Sequence, residues 1–246
     1  MTRSVAADRA QSNVVGVALL VGIAVLGMGA LTAGIGAVVE SNADTADAIS
    51  VADGFDRALR PLETTGVREG HVAVTGGRLT TESRTLRVLN ESGVVATADV
   101  DALVYRSGDR RVAYEAGAVV RGRPGNAWFH RDPSITASRG DGGVLIVSAP
   151  VLNASDRTVT GAAGQQVRLS TNVSHDRRTL GDGNYRVAVE TSTPSAWQRQ
   201  FEDSAGVDAI DRRLFPGDDH DSVVASYSGN RTAYLVVHDL RLEVNG

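Results

Sequence analysis

The chain has 246 residues, 25 basic against 29 acidic side chains, a formal net charge of −4 and a mean hydropathy of −0.10. A hydrophobic share of 42% excludes wholesale disorder, and the slight acidity argues against a general nucleic-acid binder, whose binding face is basic. The absence of cysteine excludes disulfides, zinc–thiolate sites, iron–sulfur clusters and cysteine nucleophiles. All 25 basic residues are Arg, and Asp outnumbers Glu 20 to 9. That bias suits a GC-rich genome, and an acidic excess favours solubility in high salt.

From Val14 to Val39 the chain runs 26 residues without a charge, with Thr32 its one clearly polar side chain. A helix of that length spans about 39 Å, more than the roughly 30 Å of a bilayer's hydrocarbon core. A secretory signal carries an apolar run of only about 7–15 residues, and a buried soluble helix is seldom apolar all round for so long. The stretch therefore predicts a single transmembrane span. Arg3 and Arg9 precede it, whereas Glu40, Asp44 and Asp47 follow with no Arg until Arg57. The positive-inside tendency then places the N-terminus in the cytoplasm and the residues beyond 40 outside the cell. Within the span, Gly29 and Ala33, or Ala30 and Gly34, stand four apart, the small-residue spacing that lets membrane helices approach closely. Glycine is also common in membrane helices without any such contact.

The junction before the span reads Asp8-Arg9-Ala10-Gln11-Ser12-Asn13-Val14-Val15-Gly16-Val17: a charged leader, Arg-Ala, and a short polar step into the apolar run. This resembles the class III signal of archaeal type IV pilins and archaellins, haloarchaeal ones above all. The resemblance implies cleavage by a membrane-embedded prepilin peptidase after Ala10. Arg9, Ala10 and Gln11 would be the processing residues and Gln11 the new N-terminus. It also implies a pilus-type assembly machinery as partner, and an apolar helix that stays on the mature subunit to pack with like helices. Bacterial-type pilins usually carry Glu five residues after the cut, where this chain has Val15. The signal covers about residues 7–40; a plain uncleaved signal anchor is the simpler reading of it. Downstream, runs such as ALVYRSGDRRVAYEAGAVVRG and TAYLVVHDLRLEV are similar to uncharacterised haloarchaeal pilin-like membrane proteins, which carry no known activity.

Residues 40–60 lack Pro and place Ala46, Ile49, Ala52, Phe55 or Asp56, and Leu59 at helical spacing. They predict an amphipathic stalk continuing the membrane helix as far as Pro61, although the Ala-Asp-Ser-Asn composition also suits a flexible linker. Beyond Pro61, short alternating segments separated by Gly-containing turns predict hairpins at 71–81, 85–98 and 102–116. Further strands are expected near 117–122, 134–138, 143–148, 166–173, 185–191, 222–227, 232–237 and 239–244. One helix interrupts them, with Thr193 as N-cap and Pro194 in its first turn. Trp197 and Phe201, four apart on it, read as core. The Arg110-Arg111, Arg121/Arg123 and Arg177-Arg178 groups read as solvated strand edges or turns that discourage edge-to-edge pairing.

The fold class that follows is α+β: a long N-terminal transmembrane helix, then a mainly antiparallel, sandwich-like extracellular β domain with one short helix. Its parts are a cytoplasmic leader (1–10), a transmembrane and stalk helix (11–60) and a β-rich head (61–246). Four N-x-Ser/Thr sequons, at Asn90, Asn153, Asn172 and Asn230, are candidate N-glycosylation sites for an external head. Asn172 is the weakest because it falls inside an expected strand. The sequence holds no G-x-S-x-G elbow, P-loop, G-x-G-x-x-G after a strand or H-E-x-x-H. Five scattered histidines select no triad, so no catalytic residue, cofactor or nucleic-acid partner is expected. Asp218, Asp219 and Asp221 are a weak metal candidate, lacking alternating ligand spacing and a distal Glu; a solvated turn is the simpler reading. The leading expectation is a non-catalytic, pilin-like cell-surface protein that works through its membrane helix. The other is an uncleaved single-span anchor whose head binds a protein or glycan.

Overall fold

The computed structural model describes residues 5–60, 64–123, 125–140, 142–154, 158–160 and 164–245. A helix, α1 (Val5–Leu59), is followed by β1 (Gly66–Val74), β2 (Arg78–Glu82), β3 (Thr85–Asn90), β4 (Gly93–Asp99), β5 (Ala102–Ser107) and β6 (Arg110–Glu115). Next come β7 (Ala118–Arg123), β8 (Asn126–Arg131), β9 (Ile135–Ala137), β10 (Gly143–Val151), β11 (Thr158–Thr160), β12 (Gln165–Gly183) and β13 (Arg186–Glu190). The second helix, α2 (Pro194–Glu202), precedes β14 (Val207–Arg213), β15 (Ser222–Tyr227), β16 (Arg231–Asp239) and β17 (Glu243–Asn245). The α+β class is as expected: a long apolar helix, a mostly antiparallel β domain and one short helix. Residues 1–45 and 46–246 form two separate units by their contacts.

The strands make three sheets. The first runs β1-β12-β16-β10-β9, with β17 also on β12; the second β11-β2-β5-β6-β7-β8; the third β14-β15-β13-β3-β4. Every pairing is antiparallel except β10 with β16. The expected hairpins over 85–98 and 102–116 form as β3–β4 and β5–β6. The one over 71–81 does not: β1 pairs with β12, and β2 with β5 and β11. Its glycines make a corner between two sheets. The Thr75 amide donates to Asp47, and the Tyr105 hydroxyl donates to both the Gly76 carbonyl and Asp47. Gly77 sits at φ +76°, where a Cβ would overlap the Arg106 carbonyl, so no other residue turns the chain here.

Alternation on a half-buried strand decides which side chains meet. In β13, Val187 and Val189 join one core while Ala188 joins another cluster on the opposite face. The larger core gathers Leu86 and Val88, Val187 and Val189, and Val223 of the third sheet with Leu145, Val147 and Leu235 of the first, closed by Trp197 and Phe201. Both aromatics of α2 are fully buried, as their spacing predicts. A second core lies between the first and second sheets, and α1 supplies one wall of it. Ala48, Val51, Ala52, Phe55 and Leu59 pack there with Val72, Leu103, Tyr114, Val167 and Leu242.

The stalk expected over 40–60 is thus helical to Leu59, but from Ala46 on it belongs to the β-rich unit. Its buried face is the expected one in its second half, where Ala52, Phe55 and Leu59 are buried, and differs in the first. Ala46 and Ile49 are exposed, whereas Asp47, Ala48 and Val51 point inward, because Asp47 is held by Tyr105 and the Thr75 amide. Gly70 on β1 lets the helix lie close, since a Cβ there would overlap Ala58. Arg131 ties down the outer face, donating to Asp56 (3.2 Å) and to the Gly117 carbonyl (3.0 Å).

The expected strand at 239–244 is irregular in its middle. Asp239 ends β16 and Glu243–Asn245 pairs with β12, while between them Leu240 and Leu242 are buried as plugs into the second core. In contrast β12 extends well past 173, through polar residues that pair with β16. Strand β14 was not expected; its exposed Asp and Arg residues hide a sheet edge.

Candidate functional site

Within residues 1–45 the feature is Val17–Gly36, a helix long and apolar enough to cross a membrane. Leu20, Ile23, Leu26, Leu31 and Ile35 are between 57% and 75% exposed, and every residue from Val17 to Gly36 is exposed. A soluble domain hides such residues, as the β-rich unit does; here nothing covers them. Thr32 satisfies its hydroxyl within the helix by donating to the Met28 carbonyl at 2.9 Å. Nothing lies within 4 Å of a Cβ built on Gly29 or Gly34. Ala30 and Gly34 floor a shallow apolar groove walled by Leu31, Ile35, Val38 and Val39. Of the two small-residue pairs, this one carries the groove. Arg9, Ala10 and Gln11 continue the helix backbone; their side chains lie outside the described residues, as does all of Arg3.

The four sequons occupy different settings. Asn90 ends β3 at a hairpin tip, its Oδ1 accepting the Ser92 amide at 2.8 Å. Asn230 is exposed in the turn before β16. Asn153 is exposed, at φ 44°, with its amide donated to Asp239 at 3.2 Å. Asn172 lies inside β12 opposite Val67, where its expected strand puts it.

The acidic turn at 218–221 is built around a buried carboxylate. Glu190 accepts from the backbone amides of Asp219 (3.0 Å), His220 (3.2 Å) and Thr85 (3.0 Å). The Asp218 side chain is turned inward and paired with Arg87 at 2.8 Å. The weak metal candidate Asp218, Asp219 and Asp221 therefore has its first member committed to an arginine. Among the described residues no three His, Asp or Glu side chains converge as metal ligands.

Two constellations were not legible in the sequence. On the parallel pair β10 and β16, Ser148 Oγ lies 2.7 Å from His238 Nε2, and His238 Nδ1 lies 2.8 Å from His175 Nδ1. The third place in this relay is an imidazole, where a serine hydrolase has a carboxylate. The other is a buried ionic group on the face of the second sheet that carries Glu82, Arg106, Arg111 and Glu115. Glu115 is fully buried; its Oε1 accepts from Trp197 Nε1 (2.7 Å), Thr191 (2.7 Å) and Thr193 (3.3 Å). Thr193 opens α2 as expected, but its hydroxyl is given to Glu115 and not to the helix.

Arg111 contradicts the solvated reading of Arg110-Arg111, since only 13% of its side chain is exposed. The signal was there: in Arg111-Val112-Ala113-Tyr114-Glu115 the odd positions share a face, and Ala113 is a core residue. Burial pushes its guanidinium below the ordinary arginine range, with Glu115 and Glu82 opposing. Burial pushes Glu82 up, but the Arg106 hydrogen bond and the charges of Arg106, Arg84 and Arg111 outweigh it and hold the carboxyl below its usual value.

The chain is thus a long N-terminal helix, with one exposed stretch apolar and long enough to cross a membrane, followed by a three-sheet β domain. The chain belongs to DUF7289, a family of unknown function, whose model matches residues 9–243. The match takes in both the apolar helix and the β-rich unit. No curated protein and no solved structure matches the chain.

Proposed function

We propose that this protein is a non-catalytic, type IV pilin-like subunit of the cell surface. In this reading Val17–Gly36 spans the membrane with its N-terminus cytoplasmic, and the β-rich unit stands outside. A prepilin peptidase removes the leader between Ala10 and Gln11, and pilus-type machinery brings the apolar helices of several subunits together. The observation that carries this is the helix's uniform exposure, with glycines open on every side, beside the leader-like Asp8–Gln11 junction. A helix apolar all round is suited first to lipid and then to other helices of like polarity. The sequons at Asn90 and Asn230 lie at turns of the unit assigned to the outside, where a glycosylating enzyme has access.

The test is fractionation and surface proteolysis of cells producing the full chain. The protein should resist alkaline carbonate extraction, and protease added to intact cells should digest the β-rich unit. A soluble protein, or a head protected in intact cells, would contradict the topology. Replacing Arg9 and Ala10 together should leave the protein in the membrane as a longer, unprocessed form. If the replacements change its mass only by the substitutions themselves, both forms still carry residues 1–10, so the pilin reading fails and an uncleaved anchor presenting a binding domain takes its place.

A further inference from the structure

The buried ionic group on the second sheet borders a cavity of about 190 Å³, lined among others by Arg106, Arg111, Arg123, Ser192 and Thr193. Gly122, Val120 and Ala127 give it a small-residue floor, and it continues along the first turn of α2. Charge around it does not balance. Arg84, Arg106 and Arg111 share two carboxylates, Glu82 and Glu115. Arg84 takes Glu82 at 2.6 Å and Arg106 takes its other oxygen. Glu115 spends Oε1 on three neutral donors, while its Oε2, also without a hydrogen bond, is the carboxylate oxygen nearest Arg111. Arg111 is left with carboxylate oxygens at 3.6 and 3.9 Å, beyond hydrogen-bond reach. None of its three side-chain nitrogens hydrogen-bonds to a described group, and neither does the hydroxyl of Ser192, which also lines the cavity.

A buried guanidinium brings five donors and no acceptor, and leaving them unmade is costly. Native structures satisfy such a group with a carboxylate, a water or a ligand. We propose that this cavity binds a tetrahedral oxyanion, phosphate or sulfate, free or as the terminal group of a small monoester. Arg111 is the anchoring donor, Ser192 supplies a hydroxyl, and Arg106 and Arg123 are the more exposed arginines of the lining. Donors from separate elements, β6 for Arg111 and the segment before α2 for Ser192, fit the spread oxygens of a tetrahedral anion better than the coplanar ones of a carboxylate. Arg106 and Arg123 are about half exposed, paired with Glu82 and with Asp109 (2.9 Å) respectively, so an anion met at the mouth competes with a carboxylate before it reaches Arg111. The proposal concerns the β-rich unit alone and does not depend on how the leader is processed.

Calorimetric titration of the full chain in detergent micelles tests it, with inorganic phosphate, sulfate and glucose 6-phosphate, and chloride at matched ionic strength as control. Saturable one-site binding of phosphate that chloride does not reproduce is the expected result. Tighter binding of the ester than of inorganic phosphate assigns the site to an esterified ligand, and the reverse order assigns it to the free ion. Arg111→Gln should weaken binding tenfold or more, and Ser192→Ala, in a half-buried loop, several-fold. Ser192→Ala keeps the proposal testable if the Arg111 variant fails to fold. No saturable binding, or binding unchanged in both variants, overturns the proposal.

Discussion

Glu115 and Glu82 show how much a single charge can hold in a domain without disulfides. Glu115 satisfies Trp197, Thr191 and Thr193 at once, so Glu115→Ala leaves the buried indole N–H without its acceptor and the two hydroxyls with only each other, 3.2 Å apart. The expected loss is about 3–5 kcal/mol by analogy with breaking buried charged networks, read from chemical denaturation of the full chain in detergent. A loss below about 1 kcal/mol would mean that water replaces the carboxylate. Glu82 makes a pH prediction. Its folded pKa lies below the ordinary 4.5, so its contribution is complete above about pH 4.5 and is lost as pH falls through the lower folded value. Thermal midpoints measured from pH 6 down to pH 3 should fall less steeply in Glu82→Gln than in the parent. Parallel curves would show that the arginines around Glu82 do not act on its ionisation.

At the scale of elements, α1 divides into an uncovered length and a packed one. Phe55→Ala should destabilise the β-rich unit by about 3–5 kcal/mol, the range for deleting a buried aromatic side chain. Gly70→Val should do so too, because the added side chain would push the helix off β1 at Ala58. Gly34→Leu should behave oppositely: nothing within 4 Å resists it, so the unfolding midpoint stays unchanged. If Ala30 and Gly34 form a helix–helix contact, chemical cross-linking between subunits should drop several-fold in that variant. Undiminished cross-linking would place the contact on another face.

Helix α1 was legible because hydropathy over 26 residues is a strong signal, and α2 because Thr193-Pro194 and the Trp197/Phe201 spacing agree. On 46–59 the apolar spacing marks Ala52, Phe55 and Leu59 correctly but misplaces the first turn at Ala46 and Ile49, because a buried Asp47 breaks the apolar pattern there. The hairpin at 71–81 failed for a different reason. Local turn chemistry sees Thr-Gly-Gly between two strands, but the partners of those strands lie many residues away on β12 and β5. The same non-local pairing, β10 beside β16, brings Ser148 to His238, and no sequence spacing announces it. Alternation in β6 did mark Arg111 and Glu115 as facing the same way as Ala113. What it did not show was that α2 would cover them.

For the whole molecule, mean hydropathy near zero averages two unlike materials: an uncovered apolar helix and a polar-surfaced β domain held by two hydrophobic cores. The family match over 9–243 spans both, so any account of the protein has to use the helix as well as the head. The pilin-like reading does so by giving the helix two roles in turn, membrane anchor and assembly core. Its most direct test is the mass of the N-terminal peptide from the membrane-purified protein. The account predicts a chain beginning at Gln11, with residues 1–10 gone and the apolar helix retained. A membrane-bound chain that still begins at Met1, or one cut beyond Val39, would contradict it.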